Sequence, residues 1–241
     1  MAHPVTPYNS VTAKSEQVAD MFDNIAHRYD FLNQLLSLGI HKGWRKKAVR
    51  LLEGVPHRFI LDIATGTGDL AIEALKLKPE KITGVDISEG MLKMGREKLK
   101  KMNLEDRIEL KKGNSENLPF SDNSFDAITV GFGVRNFEHL EAGLSSMFRV
   151  LKPGGTAVIL EFSRPRVFPV KQVYSFYFRR VCPFIGRIFS KDNRAYTYLN
   201  ESVTAFPDGA DFLKIMRKSG FSECTELPLS FGIATIYTGK K

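Results

Sequence analysis

Residues 59 to 86 carry the feature that most restricts how this chain folds. The apolar run Phe59-Ile60-Leu61-Asp62-Ile63 breaks into Ala64-Thr65-Gly66-Thr67-Gly68-Asp69, and a second run, Lys81-Ile82-Thr83-Gly84-Val85, ends on Asp86. A short apolar run ending in a glycine pair is a strand that turns straight into a helix. The missing side chains let the backbone approach a ligand beyond the strand's carboxyl end. An acid closing the next strand, 18 residues after Gly68, is placed to accept both hydroxyls of a ribose. The spacing predicts a doubly wound α/β sheet holding a nucleoside-bearing ligand at its switch point.

The flanking rhythm agrees. Helical patterns over 69 to about 78, 89–101 and 138–151 alternate with strand patterns over 107–111, 125–130 and 156–162, and Lys152-Pro153-Gly154-Gly155 stops the third helix. Strand alternating with helix implies βαβ units and a mostly parallel, right-handedly connected sheet. After Ser163 the rhythm stops: 164–206 reads as irregular helices, 209–219 as a helix, and 221–227 with 233–239 as a closing antiparallel hairpin. Ahead of the sheet, Met21, Phe22, Ile25 and Tyr29 keep helical spacing, and Gly39 and Gly43 are expected to split 18–52 into two or three short helices. Residues 1–16 are polar and expected to be disordered or loosely docked.

Two ligands suit such a turn. A dinucleotide sets its pyrophosphate on the helix N-terminus, where Asp69 would repel it. S-adenosylmethionine (SAM) has no phosphate and carries a sulfonium and an ammonium, so charge favours SAM, and the terminal hairpin belongs with SAM methyltransferases rather than dinucleotide folds. Behind the turn, Gly113-Asn114-Ser115-Glu116-Asn117-Leu118-Pro119-Phe120 is placed to read an adenine edge, and the strand ending at Gly131 reaches the methionine portion.

The net charge of +8 invites an anionic partner, and 18 Phe imply an apolar pocket or surface beyond the core. Two cysteines, Cys182 and Cys224, form no CxxC and no disulfide framework, which implies a reduced cytoplasmic interior; no metal site is expected. There is no signal-peptide core near the start and no run of the ~20 apolar residues that a membrane span needs. The chain is expected to be soluble or peripheral to a membrane.

Two longer stretches resemble the UbiE/MenG family of quinone-pathway C-methyltransferases, a likeness that extends over essentially the whole chain. Tyr29-Asp30-Phe31-Leu32-Asn33-Gln34-Leu35-Leu36-Ser37-Leu38-Gly39-Ile40-His41-Lys42-Gly43-Trp44 is similar to the family's N-terminal pattern, with Leu32 where Met is usual. Arg149-Val150-Leu151-Lys152-Pro153-Gly154-Gly155 through Leu160-Glu161-Phe162-Ser163 is similar to its second pattern. The resemblance implies a class I, Rossmann-like SAM methyltransferase acting on the ring carbon of a polyprenylated quinol, either 2-demethylmenaquinol or a methoxy-benzoquinol. It implies one domain, with 1–56 as a helical substrate-side segment, 57–163 as the SAM-binding core, 164–206 as a helical lid and 207–241 as the closing helix and hairpin. SAM contacts are expected at Asp62, Gly66, Thr67, Asp86, Asn114, Ser115 and Gly131; Ala64 stands where many SAM enzymes have glycine. Tyr29, Asn33, Trp44 and Tyr198 are expected to line the acceptor pocket.

Carbon methylation needs a carbon nucleophile, which a quinol provides once a hydroxyl of ordinary pKa about 10 loses its proton. Arg135, His41 and Tyr196 are the catalytic candidates. Arg135 follows the fourth strand and stays charged, so it suits phenolate stabilisation or the orienting of a water, or else it is a structural partner for a carboxylate. His41 shares a helix face with Trp44, and its imidazole titrates near neutrality.

Residues 164–191 hold seven Lys or Arg and no acid: Arg164, Arg166, Lys171, Arg179, Arg180, Arg187 and Lys191. Aromatic residues are interleaved among them. A basic and aromatic mixture suits an anionic membrane face at ~1 kcal/mol per basic residue; it also describes single-stranded nucleic-acid binding or a core helix whose arginines are solvated. A polyprenyl substrate favours peripheral attachment at the inner face of the cell membrane, with no nucleic acid expected. Methylation of RNA and SAM binding without catalysis are the competing readings. Oligomeric state is left open.

Overall fold

The computed structural model of the chain describes residues 5–8, 10–37, 39–55, 57–177, 180 and 193–241, the side chains of Leu32, Leu35, Leu36, Asn193 and Tyr196 excepted. Seven strands make one sheet: β1 (Phe59–Ile63), β2 (Lys81–Asp86), β3 (Ile108–Lys112), β4 (Phe125–Gly131), β5 (Leu151–Phe162), β6 (Ser222–Leu229) and β7 (Ala234–Lys240), in the order β3-β2-β1-β4-β5-β7-β6. The first five run parallel, and β7 lies antiparallel between β5 and β6. The predicted mixed sheet and its terminal hairpin are both present. Successive strand residues alternate between the two faces, and both faces are buried. Leu61, Ile128 and Ile159 pack with Phe212 and Tyr237 on one side. Ile60, Ala127, Val158 and Leu160 pack with Leu92 and Trp44 on the other.

Among the described residues the α-helices are α1 (Lys14–Leu36), α2 (Ile40–Arg50), α3 (Asp69–Ala74), α4 (Glu89–Lys101), α5 (Leu140–Val150), α6 (Val170–Phe176), α7 (Asn193–Ala205) and α8 (Ala210–Lys218). Only one of the two expected glycine breaks occurs. Gly39 turns the chain at φ 78°, whereas Gly43 lies inside α2 with open space where a Cβ would stand. The predicted stop after α5 is also a start, since β5 begins at Leu151 and runs through the Pro-Gly-Gly turn with an irregular register against β4. Proline is tolerated there because a bulged strand end needs no donor at that position.

The described part of the N-terminal segment is tied down. Lys14 Nζ donates to the Phe137 carbonyl at 2.9 Å, the Ser15 N–H to Glu138 Oε2 at 3.1 Å, and Arg194 Nε to the Pro7 carbonyl at 2.7 Å. Asp23 of α1 accepts from the Ser88 hydroxyl and from the Gly90 N–H at the start of α4. These bonds seat α1 across the carboxyl ends of β1 and β2. The chain leaves β1 for β2 on one side and β4 on the other, so this end is also where the sheet's winding reverses.

Candidate active site

The turn after β1 passes Ala64, Gly66 and Gly68 at φ of 51°, 57° and 83°. Its support is a buried acid below and another beside it. Asp62 accepts from the hydroxyls of Thr65 and Thr129, each at 2.6 Å. Burial pushes the Asp62 carboxyl up to about 6, with the two threonine bonds opposing. Asp86 accepts the Gly66 N–H at 2.8 Å and the Ser88 N–H at 2.9 Å, one on each oxygen. The Ile87 N–H also reaches this carboxyl, which leaves one of its acceptor positions for a ligand. Burial again pushes this carboxyl up, and the backbone donors hold it back. Gly133 closes the turn from the other side: a Cβ there would stand 2.4 Å from the Ala64 Cβ.

Two cavities meet at this turn and share Phe22, Tyr29, Ala64, Gly66, Gly131 and Phe132. The smaller, about 70 Å³, is bordered by Asp86, Ile87, Met91, Asn114 and Ser115. The larger, about 300 Å³, lies under α1, α2 and α7. Its aromatic wall is a cluster: the Phe132 and Phe162 ring centroids are 4.5 Å apart, and Trp44 stands 6.2 Å from each. Trp44 is fixed by donating Nε1–H to Ser230 Oγ at 2.9 Å.

Polar groups interrupt this wall at few points. Arg135 Nη1 donates to Glu161 Oε1 at 2.8 Å and to the Phe132 carbonyl. Its Nε is buried with no hydrogen-bond partner among the described residues, and the Tyr198 hydroxyl and Asn136 Oδ1 are in the same position. Burial pushes Tyr198 up to about 12, so its hydroxyl remains a donor. Burial also pushes Tyr29 up, against a hydrogen bond from Asn33. His41 bonds Ser37 Oγ through Nδ1, and burial, aided by Arg45, brings its imidazole down to about 4.

The structure thus brings Tyr29, Asn33, His41, Trp44, Arg135 and Tyr198 to the large cavity and Asp86, Asn114 and Ser115 to the small one, with Gly66 and Gly131 between them. Asp62 and Thr67 also border the large cavity, but their side chains are engaged within the fold. The Thr67 hydroxyl donates to Asp30 Oδ1 at 2.7 Å and accepts from Lys98 Nζ at 2.9 Å. The Tyr196 side chain lies outside the described residues, as do Arg179, Arg187 and Lys191.

Asp69 does not stand bare at its helix end, as the repulsion argument assumed. Arg45 pairs with it at 2.9 Å and Lys98 at 2.8 Å. Burial would raise its carboxyl, but the two cations outweigh this and hold it below the ordinary value. Sequence reasoning also missed Glu161, whose only signal was an acid inside the apolar run Ala157-Val158-Ile159-Leu160-Glu161-Phe162.

The sequence pattern of the ubiE/COQ5 methyltransferase family matches residues 10–241. The chain is 50% identical over 238 residues to the demethylmenaquinone methyltransferase of Bacteroides fragilis, covering 98% of this chain and 97% of that one. It is 48% identical over 239 residues to the ubiquinone/menaquinone biosynthesis C-methyltransferase UbiE of Geobacter sulfurreducens, covering 98% and 93%. A solved SAM-dependent methyltransferase of Thermotoga maritima aligns with a TM-score of 0.63 at 23% identity, covering 92% of this chain and 99% of that one. That last likeness bears on the fold alone.

Proposed function

The chain belongs to the ubiE/COQ5 methyltransferase family and is a SAM-dependent methyltransferase; from this we propose that its acceptor is 2-demethylmenaquinol, methylated on a ring carbon to menaquinol. The observation that carries this reading is the aromatic cavity of about 300 Å³ bordered by Arg135 and Tyr198, each of which holds a buried donor, Nε and the hydroxyl, with no partner among the described residues. A flat apolar ring that bears an ionisable hydroxyl answers both features. A methoxy-benzoquinol shares them and is the second reading, supported by the 48% identity to UbiE.

The smaller compartment fits SAM. Asp86 has an acceptor position left for a ribose hydroxyl, Asn114 and Ser115 border the space for an adenine edge, and Gly66 and Thr67 form the turn that Asp62 braces, beside Gly131 at the end of β4. When bound, SAM supplies a methyl on a sulfonium that departs as a neutral thioether. Arg135 and Tyr198 donate to the quinol oxygen and favour its ionised form, the hydroxyl proton passing to solvent as the acceptor enters and being regained by the product as it leaves. Charge then reaches the ring carbon beside that oxygen and makes it the nucleophile. Once methylated, that carbon loses its hydrogen as a proton and the ring becomes aromatic again. His41, at about 4, is neutral at pH 7 but about six powers of ten weaker as a base than a quinolate. It therefore suits the acidic ring proton rather than the hydroxyl proton. Closure of α1, α2 and α7 over the cavity excludes water and aligns the two reactants.

We read 57–163 with 207–241 as the core of one domain, and 1–56 with 164–206 as its acceptor-side cover. Tyr174 and Tyr177 border the cavity, while Val167, Phe168, Val173 and Phe176 are exposed beside Arg164, Arg166, Lys171 and Arg180. No helix among the described residues is long and apolar enough to cross a membrane. This pattern supports peripheral attachment to an anionic bilayer, where a prenylated acceptor resides. Lys171→Glu with Arg180→Glu should reduce co-sedimentation with anionic vesicles and leave neutral vesicles unaffected; equal sedimentation would remove the attachment.

The test of the acceptor is incubation of the protein with methyl-labelled SAM and chemically reduced demethylmenaquinone in detergent, read by mass spectrometry. One added methyl on the ring supports the reading. Product only from the methoxy-benzoquinol would replace it with the second.

A further inference from the structure

Glu161 is an anomaly for a strand in the middle of a sheet. It stands between Leu160 and Phe162 of β5 and is fully buried, where an isolated carboxylate is strongly disfavoured. Both of its oxygens are engaged. Oε1 accepts Arg135 Nη1 at 2.8 Å and the Phe162 N–H at 2.8 Å, and Oε2 accepts the Arg135 backbone N–H at 3.2 Å. Three donors and no acceptor around the carboxyl favour the ionised form, against burial, which pushes the carboxyl up. It therefore grips the arginine twice, by backbone and by side chain.

The consequence falls on Arg135. Its side chain is only 7% exposed, its guanidinium carbon sits 5.4 Å from the Phe162 ring centroid, and Nη1 is occupied by Glu161 and the Phe132 carbonyl. Nε has no partner among the described residues, and the residue borders the large cavity. A buried pair that only stabilised the fold would have no reason to leave a charged donor unsatisfied in a residue that borders a cavity.

We propose that Glu161 is a positioning residue for methyl transfer: it pins Arg135 against the acceptor cavity with an N–H in reserve for the acceptor oxygen, and it cancels the arginine's charge until that oxygen ionises. This rests on the quinol reading above. It gives Glu161 two separable effects. Loss of its charge with the shape kept leaves the cavity one unit more positive, so an acidic hydroxyl bound there ionises at lower pH. Loss of its reach with the charge kept leaves ionisation in place but frees the guanidinium to turn.

The experiment uses the whole protein, 1-naphthol as a phenolic probe whose ionisation is read by absorbance, and turnover of reduced demethylmenaquinone with SAM. Glu161→Gln should lower the apparent pKa of bound naphthol by about one unit or more, with SAM affinity unchanged and turnover slowed far less than by Glu161→Asp. In an Arg135→Met background the same Glu161→Gln change should shift neither reading, because its route is gone. Glu161→Asp, too short to hold both partners, should slow turnover while the naphthol value stays; this variant carries the test if Glu161→Gln does not fold. Naphthol values and turnover that match the unaltered protein, or equal effects of Glu161→Gln with and without Arg135, would overturn the proposal. Absence of product from every form, the unaltered protein included, with the naphthol shifts intact, would sink the acceptor assignment and leave Glu161's role standing.

Discussion

Substitution of Asp62 by Asn should change how stability depends on pH, with a definite sign. Asp62 is fully buried, and its carboxyl is pushed from an ordinary 3.8 up to about 6, burial being the main cause. Between those values the folded chain holds a proton that the unfolded chain has released. Stability from this group is therefore lost as pH rises through the window, and the loss is complete above about 6. At 1.36 kcal/mol per pKa unit, the roughly two-unit gap is worth about 3 kcal/mol. Asparagine has nearly the same shape and still bonds both threonine hydroxyls, one as acceptor and one as donor, so it keeps the brace and removes the titration. Urea unfolding of both proteins at pH 4, 5, 6 and 7 reads the difference directly. The variant should gain on the parent progressively from pH 4 to 6, by up to about 3 kcal/mol, and run parallel above. A difference constant across pH would refute the raised carboxyl and the account of the turn built on it.

Asp86→Ala should abolish SAM binding measured by calorimetry, since it removes the acceptor for the Gly66 and Ser88 N–H groups as well as for the ribose; unchanged affinity would overturn the cofactor site. Tyr198→Phe should raise thermal stability by about 1 kcal/mol, because a buried hydroxyl without a partner among the described residues is removed. It should also slow turnover about 10-fold or more, with SAM affinity intact; a stability gain without loss of turnover would place the hydroxyl outside the reaction. Gly133→Ala should weaken SAM binding and lower the melting temperature, because its Cβ would stand 2.4 Å from that of Ala64; a variant matching the parent in both would show that the turn yields.

The turn from Ile63 to Asp69 and the strand-end Asp86 were legible because their logic is local: a strand, a tight turn and a helix start within a few residues, then the same rhythm repeated. The parallel core followed from that rhythm and the hairpin from two closing strand patterns. What sequence missed depends on partners far along the chain. Asp30 and Asp69 meet over Lys98, so an acid that reads as repulsive at a helix start is neutralised by residues from α2 and α4. Glu161 finds Arg135 from the neighbouring strand's exit, which no period along β5 records. Gly43 misled for the opposite reason: within α2 its lost side chain has no consequence, because nothing lies where a Cβ would be. Pro153 and Gly154 stop a helix by local rule, yet β5 starts before them because β4 and residue Lys241 offer backbone partners.

The position of β7 between β5 and β6 has a consequence for how the molecule is made. On a ribosome, β5 emerges roughly 70 residues before the strand that covers its outer edge. At about 5–20 residues per second this edge stays open for several seconds. It presents the apolar run from Ala157 to Leu160, a segment suited to pairing with the wrong chain. A chain interrupted before Ala234 has every element of the cofactor turn and keeps that sticky edge. Synthesis of the hairpin is thus what covers the β5 edge and completes the core with Ala234, Ile236 and Tyr237.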